Sequence, residues 1–136
     1  MTKPKPLPKV KYSIICDDIR EEKGNKYTLV GVYTEDIYPS KVPALVPKLC
    51  FRICIDTSLE YIREFNLLIK RPNNTTIGPF LAKIVKEGKT EAYLNITISP
   101  FIFEEIGEYE LIIEEGKREK RIHRFSVKAG DPSINK

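Results

Sequence analysis

Apolar and polar side chains alternate in run after run of this chain, with prolines and glycines between the runs. Period-two alternation puts one set of side chains on a single face of a β-strand, so it favours strands that are half buried in a sheet. The apolar sets that we expect to share a face are Val10, Tyr12, Ile14; Leu49, Phe51, Ile53, Ile55; Phe65, Leu67, Ile69; Ala92, Leu94, Ile96, Ile98; Tyr109, Leu111, Ile113; and His123, Phe125, Val127.

The alternation predicts about eight short strands, near 10–15, 27–33, 48–56, 64–71, 80–86, 90–98, 108–114 and 120–128. Strands at this spacing in one domain indicate an all-β fold, a two-sheet antiparallel β-sandwich with little helix. The one helical turn that we predict spans 101–106, where Pro100 opens the segment and Ser99 can cap it.

A local pattern near the C-terminus refines this interpretation. Gly107 and Tyr109 open the predicted penultimate strand, and a short turn leads from it into the last strand. The C-terminal half resembles immunoglobulin-like β-sandwiches, in which such a tyrosine hydrogen-bonds back to the chain at a corner. The resemblance implies that Tyr109 makes this bond.

The first half carries a second resemblance. The segments that show it are Cys16-Asp17-Asp18-Ile19-Arg20-Glu21-Glu22, Tyr27-Thr28-Leu29-Val30-Gly31-Val32-Tyr33 and the proline-spaced segment from Pro39 to Leu49. Together they resemble a family of uncharacterised small proteins from bacteria and their phages. The resemblance implies such an origin and a single independently folding domain, and it brings no activity, cofactor or site residue with it.

Length and composition set the domain plan. The 136 residues predict one β-sandwich domain at 10–128, between an extended Lys/Pro arm at 1–9 and a loose tail at 129–136. The N-terminal segment lacks the apolar run of an export signal, and the number of cysteines, three, is odd. We therefore expect reduced thiols and a cytoplasmic protein. No run is long enough to span a membrane, so we expect no membrane partner.

The polar segment after the first predicted strand is the most distinctive one. We predict a loop there, closed by Gly24-Asn25, and Gly31 in the following strand suggests a bulge or a close approach by another backbone. The candidate interaction residues of this loop are Asp17, Asp18, Arg20, Glu21 and Glu22. Their spacing does not match a calcium loop, and basic neighbours balance the acids, so a solvated loop is favoured over a metal site.

The sequence offers little catalytic chemistry. Cys50 and Cys54 are about 13 Å apart along one strand, too far for one zinc ion or a disulfide. We expect buried thiols, and Asp17 beside Cys16 should raise the pKa of that thiol. His123 is expected to be a packed or edge residue rather than a catalytic one, and glycine-rich phosphate loops are absent. We therefore predict no catalytic residue, no metal, no cofactor and no enzyme.

Two further segments could contact partners. The proline-braced stretch 34–48 carries Ile37, Tyr38 and Leu45, which either pack over a sheet edge or face a partner, and we favour packing. The densest basic run supplies the candidate polyanion contacts Lys117, Arg118, Lys120, Arg121 and Arg124. Glu114, Glu115 and Glu119 lie in the same predicted hairpin and should pair with these cations, which makes nucleic acid the less favoured partner.

Three functions follow from these observations. The first is a non-enzymatic protein-interaction module that acts through its loops or a sheet edge, on an unknown protein or on a second copy of itself. The second is a nucleic-acid or polyanion binder that uses the basic hairpin at 117–124 and the N-terminal arm. The third, and least favoured, is a small metal-dependent enzyme of unrecognised type.

Overall fold

The computed structural model describes residues 6–57, 60–87 and 90–129, and most of the predicted arm and tail lies outside them. Every element in the described part of the chain is a β-strand. The strands are β1 (Lys9–Glu22), β2 (Lys26–Tyr33), β3 (Ala44–Val46), β4 (Leu49–Asp56), β5 (Glu60–Lys70), β6 (Thr76–Glu87), β7 (Glu91–Ile98), β8 (Phe101–Phe103), β9 (Gly107–Glu115) and β10 (Arg118–Val127).

The strands form two four-stranded antiparallel sheets and a small ribbon. The first sheet has the order β2-β1-β4-β7, the second has the order β10-β9-β5-β6, and β3 pairs with β8. Alternate residues of each sheet meet in one core, including Phe51, Ile53, Leu67 and Leu111. The predicted all-β sandwich is therefore confirmed.

Two short strands were not predicted. β8 replaces the predicted helical turn at 101–106, and that prediction was wrong. The reason is visible in the packing, because Phe101 and Phe103 are both buried while Ile102 between them is exposed. Extended backbone places both rings in the core, which one turn of helix could not do.

Tyr109 lies at the centre of the core and closes the corner before β9. Its ring is fully buried and stacks on Phe125 with centroids 5.2 Å apart. Its hydroxyl donates a hydrogen bond of 2.9 Å to the carbonyl oxygen of Glu105, four residues back in the chain. The predicted backward bond of this tyrosine is confirmed.

β1 is longer than predicted and takes part in two pairings. It pairs with β4 from Lys9 to Cys16, and then continues to Glu22 paired with β2 alone. The predicted loop at 17–22 is thus strand, and the turn between the strands is confined to 23–25. A register shift between Val10 and Tyr12 puts Tyr12 opposite Cys54, so Val10 and Tyr12 do not share a face as predicted.

The segment after β2 packs against the edge of the second sheet. Ile37 is buried, and its N–H donates to the carbonyl oxygen of Ser126 at 2.8 Å. The N–H of Lys128 donates in turn to the Ile37 carbonyl oxygen at 3.0 Å. These bonds close the outer edge of β10 at this point, as the favoured interpretation of this segment predicted.

Candidate interaction surface

β4 is buried on both of its faces. Its inward-facing residues enter the core, as the alternation predicts; they are Leu49, Phe51, Ile53 and Ile55. The outward-facing Cys50 and Cys54 are nevertheless also fully buried. The outer face of the first sheet must therefore carry a second layer of side chains that covers them.

The three thiols of this layer are fully buried and form no disulfide. Cys16 lies opposite Cys50 across β1 and β4, and the Cys50 sulfur is 3.4 Å from the hydroxyl oxygen of Thr97. Burial, with a smaller contribution from Cys50 and then from Asp17 and other neighbours, raises the pKa of Cys16 to about 11. The prediction of buried thiols is confirmed, because Cys16, Cys50 and Cys54 have no exposed surface.

Arg52 forms the centre of the covering layer. Its guanidinium carbon lies 4.6 Å from the ring centroid of Tyr27 and 4.4 Å from that of Tyr93, so both rings make cation–π contacts with it. Its Nη1 donates a hydrogen bond of 2.9 Å to the side-chain oxygen of Asn95 on the neighbouring strand β7. The Arg52 side chain is thereby fixed in one orientation on the outer face.

Further exposed apolar residues lie on the outer face of the same sheet as this arginine. Val30 and Val32 lie opposite Asp18 and Cys16 on β1, and Tyr12 lies opposite Cys54 on β4. We call the whole surface the tyrosine face; it consists of Tyr12, Tyr27, Val30, Val32, Arg52 and Tyr93. Its five apolar members keep 37–45% of their surface exposed, which is high for large apolar side chains grouped on one face.

Charged pairs border the tyrosine face. Lys11 pairs with Glu91, and Asp18 binds Lys48 at 2.6 Å and Arg20 at 3.0 Å. The bond to Lys48, followed by that to Arg20, lowers the pKa of Asp18. An apolar centre with a charged rim is the usual plan of a protein-binding surface.

The acidic residues singled out from the sequence do not form one cluster. They lie along strand β1 rather than in a loop, so that part of the prediction was wrong. Asp17 accepts a bond of 2.6 Å from the Tyr33 hydroxyl, and Glu22 accepts one of 3.1 Å from Thr28. Only Asp18 and Arg20 of the five stand at the rim through ion pairs; Glu21 is exposed farther along β1.

The predicted apolar contact residues separate in the fold. Ile37 is part of the core and cannot meet a partner, which corrects its place among the contact candidates. Tyr38 is half buried, and Leu45 is 65% exposed opposite Ile102 on the β3–β8 ribbon. Of the three, Leu45 alone offers a large free apolar surface.

The basic hairpin is more strongly neutralised than its sequence suggests. Arg121 lies within 4.0 Å of Glu108 and Glu110, and Arg124 is 3.5 Å from Glu108. Arg118 is bound to Glu115 at 3.0 Å. The prediction of internal compensation is right, but Glu108 and Glu110 do most of it, while Glu114 and Glu119 face each other across the hairpin.

A polar cleft of about 600 Å³ lies between β10, the middle of β1 and the end of β2. Inside it the Ser13 hydroxyl is hydrogen-bonded to Nδ1 of His123, and burial lowers the pKa of this histidine. Within the described ranges no carboxylate binds the ring, so the third member of a catalytic triad is missing. The pair is best understood as the packed histidine that the sequence predicts.

Other classes of site find no support in the described part of the chain. It holds no group of three or more His, Cys, Asp or Glu side chains placed to bind a metal ion. Nor do the described residues include a helix that could cross a lipid bilayer.

A family model described as a family of unknown function, DUF6941, matches residues 11–128. The chain belongs to this DUF6941 family. The match contains the whole tyrosine face and nine of the strands completely, with only the first two residues of β1 outside it. No curated protein matches the chain.

The tyrosine face of this DUF6941 domain was not predicted from the sequence. Tyr12 was assigned to an apolar stripe with Val10 and Ile14, and Arg52 was not singled out. The register shift in β1 reverses the direction of Tyr12, and nothing in the local sequence announces it. One signal was available, because Cys50 and Cys54, on either side of Arg52, make the outer face of β4 unusually apolar for a strand exposed on one side.

Proposed function

We propose that this domain is a non-enzymatic protein-interaction module and that the tyrosine face is its binding surface. The observation that carries the proposal is the Tyr27–Arg52–Tyr93 stack, on a sheet that also carries exposed apolar residues and ion pairs on its outer face. Tyrosine and arginine are the residue types enriched at the centres of protein interfaces, where they contribute most of the binding free energy.

The proposal moves the binding surface from the loops and edges, which the sequence favoured, to a sheet face. The stack explains why this surface suits binding. Two rings and Asn95 already hold the Arg52 side chain. This side chain would therefore lose little further conformational entropy when a partner binds. The charged rim would in turn limit which partners can approach.

We also infer an immunoglobulin-like relationship from the strand order. β1, β4 and β7 are neighbours in the first sheet, as strands A, B and E are in that fold, and β5, β9 and β10 are neighbours like strands C, F and G. The Tyr109 bond supports the same assignment. Fold alone does not determine function, so this relationship supports an adaptable scaffold and nothing more specific.

Origin and location are part of the same proposal. The resemblance of the first half supports a bacterial or phage protein, and three buried free thiols suit the reducing cytoplasm. A second copy of the chain remains the alternative to a different protein as the partner.

Site-specific photocrosslinking in a lysate of the native host tests the proposal. A benzophenone side chain at Val32 samples the tyrosine face, and the same group at Leu81 samples an exposed apolar position on the second sheet. We expect a discrete adduct from position 32 that unlabelled wild-type protein competes away and a Tyr27→Ala/Tyr93→Ala variant does not.

The matched position makes the result decisive. Leu81 is 71% exposed, more than Val32 at 45%, so general stickiness would favour adducts at position 81. Equal adducts from both positions, or adducts from position 32 that wild-type protein does not reduce, would overturn the proposal.

A further inference from the structure

We propose that Arg52 binds a carboxylate of the partner, and that the tyrosine face therefore recognises an acidic side chain set among apolar ones. This inference rests on the proposed function, since it specifies what the same surface binds. Three observations carry it: the charge balance of the arginines, the unused donors of Arg52 and the apolar character of its surroundings.

Arg52 is exceptional among the arginines. The sequence contains seven, and all of them lie in the described ranges. Six pair with a carboxylate of the chain; these are Arg20, Arg63, Arg71, Arg118, Arg121 and Arg124. Arg52 has no carboxylate partner in the same ranges, although it is half buried and fixed in position. A partly desolvated cation without a counter-charge favours binding an external anion.

The geometry leaves donors free for such an anion. A guanidinium carries five N–H donors in one plane, and Arg52 uses one side chain, Asn95, as an acceptor through Nη1. Tyr27 and Tyr93 contact the cation through their rings, so they do not occupy the in-plane N–H groups. The remaining edge can hold a carboxylate with two parallel hydrogen bonds, the arrangement that makes arginine superior to lysine for this ion.

The surroundings favour a protein carboxylate over a phosphate of nucleic acid. Val30 and Val32 add exposed apolar surface, and the nearby Lys11 and Lys48 are each bound to a carboxylate of the chain. A polyanion binder presents several free cations along a track, whereas this face presents one. An acidic residue flanked by apolar ones matches both the charge and the exposed rings and methyl groups.

The test uses two doubly blocked tripeptides, Val-Glu-Val and Val-Gln-Val, which differ only in the carboxylate. The readout is the Nε–Hε resonance of Arg52 in ¹⁵N-labelled full-length protein, with the Arg124 resonance as an internal control. We expect a saturable shift of the Arg52 signal with Val-Glu-Val alone. Affinity measured from backbone amide shifts should fall about tenfold in Arg52→Lys, which loses the paired bonds, and disappear in Arg52→Gln.

Four results would overturn the inference. An equal shift of the Arg52 signal with Val-Gln-Val and with Val-Glu-Val would show that the carboxylate is irrelevant. Inorganic phosphate that binds more tightly than Val-Glu-Val would indicate a polyanion site, and an Arg52 shift on raising protein concentration alone would indicate a second copy as occupant. Crosslinking from Val32 that persists unchanged in Arg52→Gln would refute the carboxylate anchor while leaving the interaction module intact.

Discussion

At the scale of single residues, Gly31 shows how a side chain on one strand determines the residue type on the next. Its φ of 68° lies in the left-handed region, and a Cβ at this position would come within 2.2 Å of Oδ2 of Asp17. Asp17 in turn accepts the bond from Tyr33. The sequence suggested a bulge or a backbone contact at Gly31; the ladder keeps its register, and the close neighbour is a carboxylate.

We expect Gly31→Ala to destabilise the domain by about 1–3 kcal/mol, because both the backbone conformation and the Asp17 contact oppose a side chain. Chemical denaturation measures the loss. Gly24→Ala is the matched control, since Gly24 also has a positive φ but nothing within 4 Å of the new methyl group. If Asp17→Ala restores none of the stability lost in Gly31→Ala, the carboxylate contact is not the cause.

His123 predicts a pH dependence near neutrality. Burial lowers its pKa in the folded state. Below about pH 6.5 the unfolded chain therefore binds a proton more readily than the folded chain, and the free energy of unfolding decreases. We expect the urea midpoint to fall as the pH decreases from 7.5 to 5.5, and His123→Gln to flatten this part of the profile. An unchanged slope in the variant would assign the dependence to other groups.

At the scale of strands, the alternation in the sequence was sufficient for the eight longer strands but not for the rest. β3 and β8 have three residues each, too few to show a period. The far part of β1 carries Asp17, Asp18, Glu21 and Glu22, residue types that are depleted in strands, and it is strand because β2 pairs with it beyond the core. The direction of Tyr12 depends on a register shift, so the binding surface could not be read from the alternation.

One ion pair joins two neighbouring strands at the margin of the core. Arg63 on β5 donates two bonds, of 2.7 and 2.6 Å, to the carboxylate of Glu115 on β9, and both side chains are largely shielded from water. The bond to Arg63 is the main reason that the pKa of Glu115 is lowered. A depressed carboxyl pKa stabilises the fold above the ordinary pKa near 4.5, and this contribution is lost as the pH falls below it.

We expect Glu115→Gln to cost about 2–4 kcal/mol at pH 7, since it leaves the shielded Arg63 without its main counter-charge. The cost should be smaller at pH 3.5 than at pH 7, because the stability that a lowered carboxyl pKa contributes is lost progressively below the ordinary pKa of 4.5. Denaturation of both proteins at the two pH values measures this. Glu114→Gln, next to it on β9 and without a resolved ion pair among the described residues, should change stability little, and an equal loss in both variants would contradict the assignment.

At the scale of the whole molecule, the net charge of +4 overstates the number of unpaired positive side chains that a polyanion could contact. Opposite charges meet across most of the surface, and on the basic hairpin Glu108 and Glu110 hold Arg121 and Arg124. Positive charge in the sequence is therefore not a positive patch in the fold. The sequence predicted this compensation and named Glu115 correctly, but it missed Glu108 and Glu110, because their pairing with Arg121 and Arg124 depends on the register of β9 and β10.

We expect the wild-type protein to bind a fluorescent single-stranded oligonucleotide weakly, with little dependence on salt. Glu108→Gln/Glu110→Gln should increase the affinity and steepen its dependence on salt. The slope of the logarithm of the binding constant against the logarithm of the salt concentration should become steeper for each phosphate that a freed arginine contacts, by about 0.7 on a single strand and about 0.9 on a duplex. Fluorescence anisotropy at several salt concentrations measures both. Tight, strongly salt-dependent binding by the wild type would favour the polyanion-binder function instead.

The two hydrogen bonds of Ile37 bear on the order in which the molecule can be made. Their partners, Ser126 and Lys128, lie at the opposite end of the domain sequence, so this contact cannot form on the ribosome until β10 has been synthesised. β9, too, must be present before β5 gains its second neighbour in the sheet. Pairings between strands so distant in sequence slow folding, and the edges of the earlier strands stay unpaired until the later strands are present. A nascent chain of this protein therefore cannot complete its second sheet until its final hairpin has emerged.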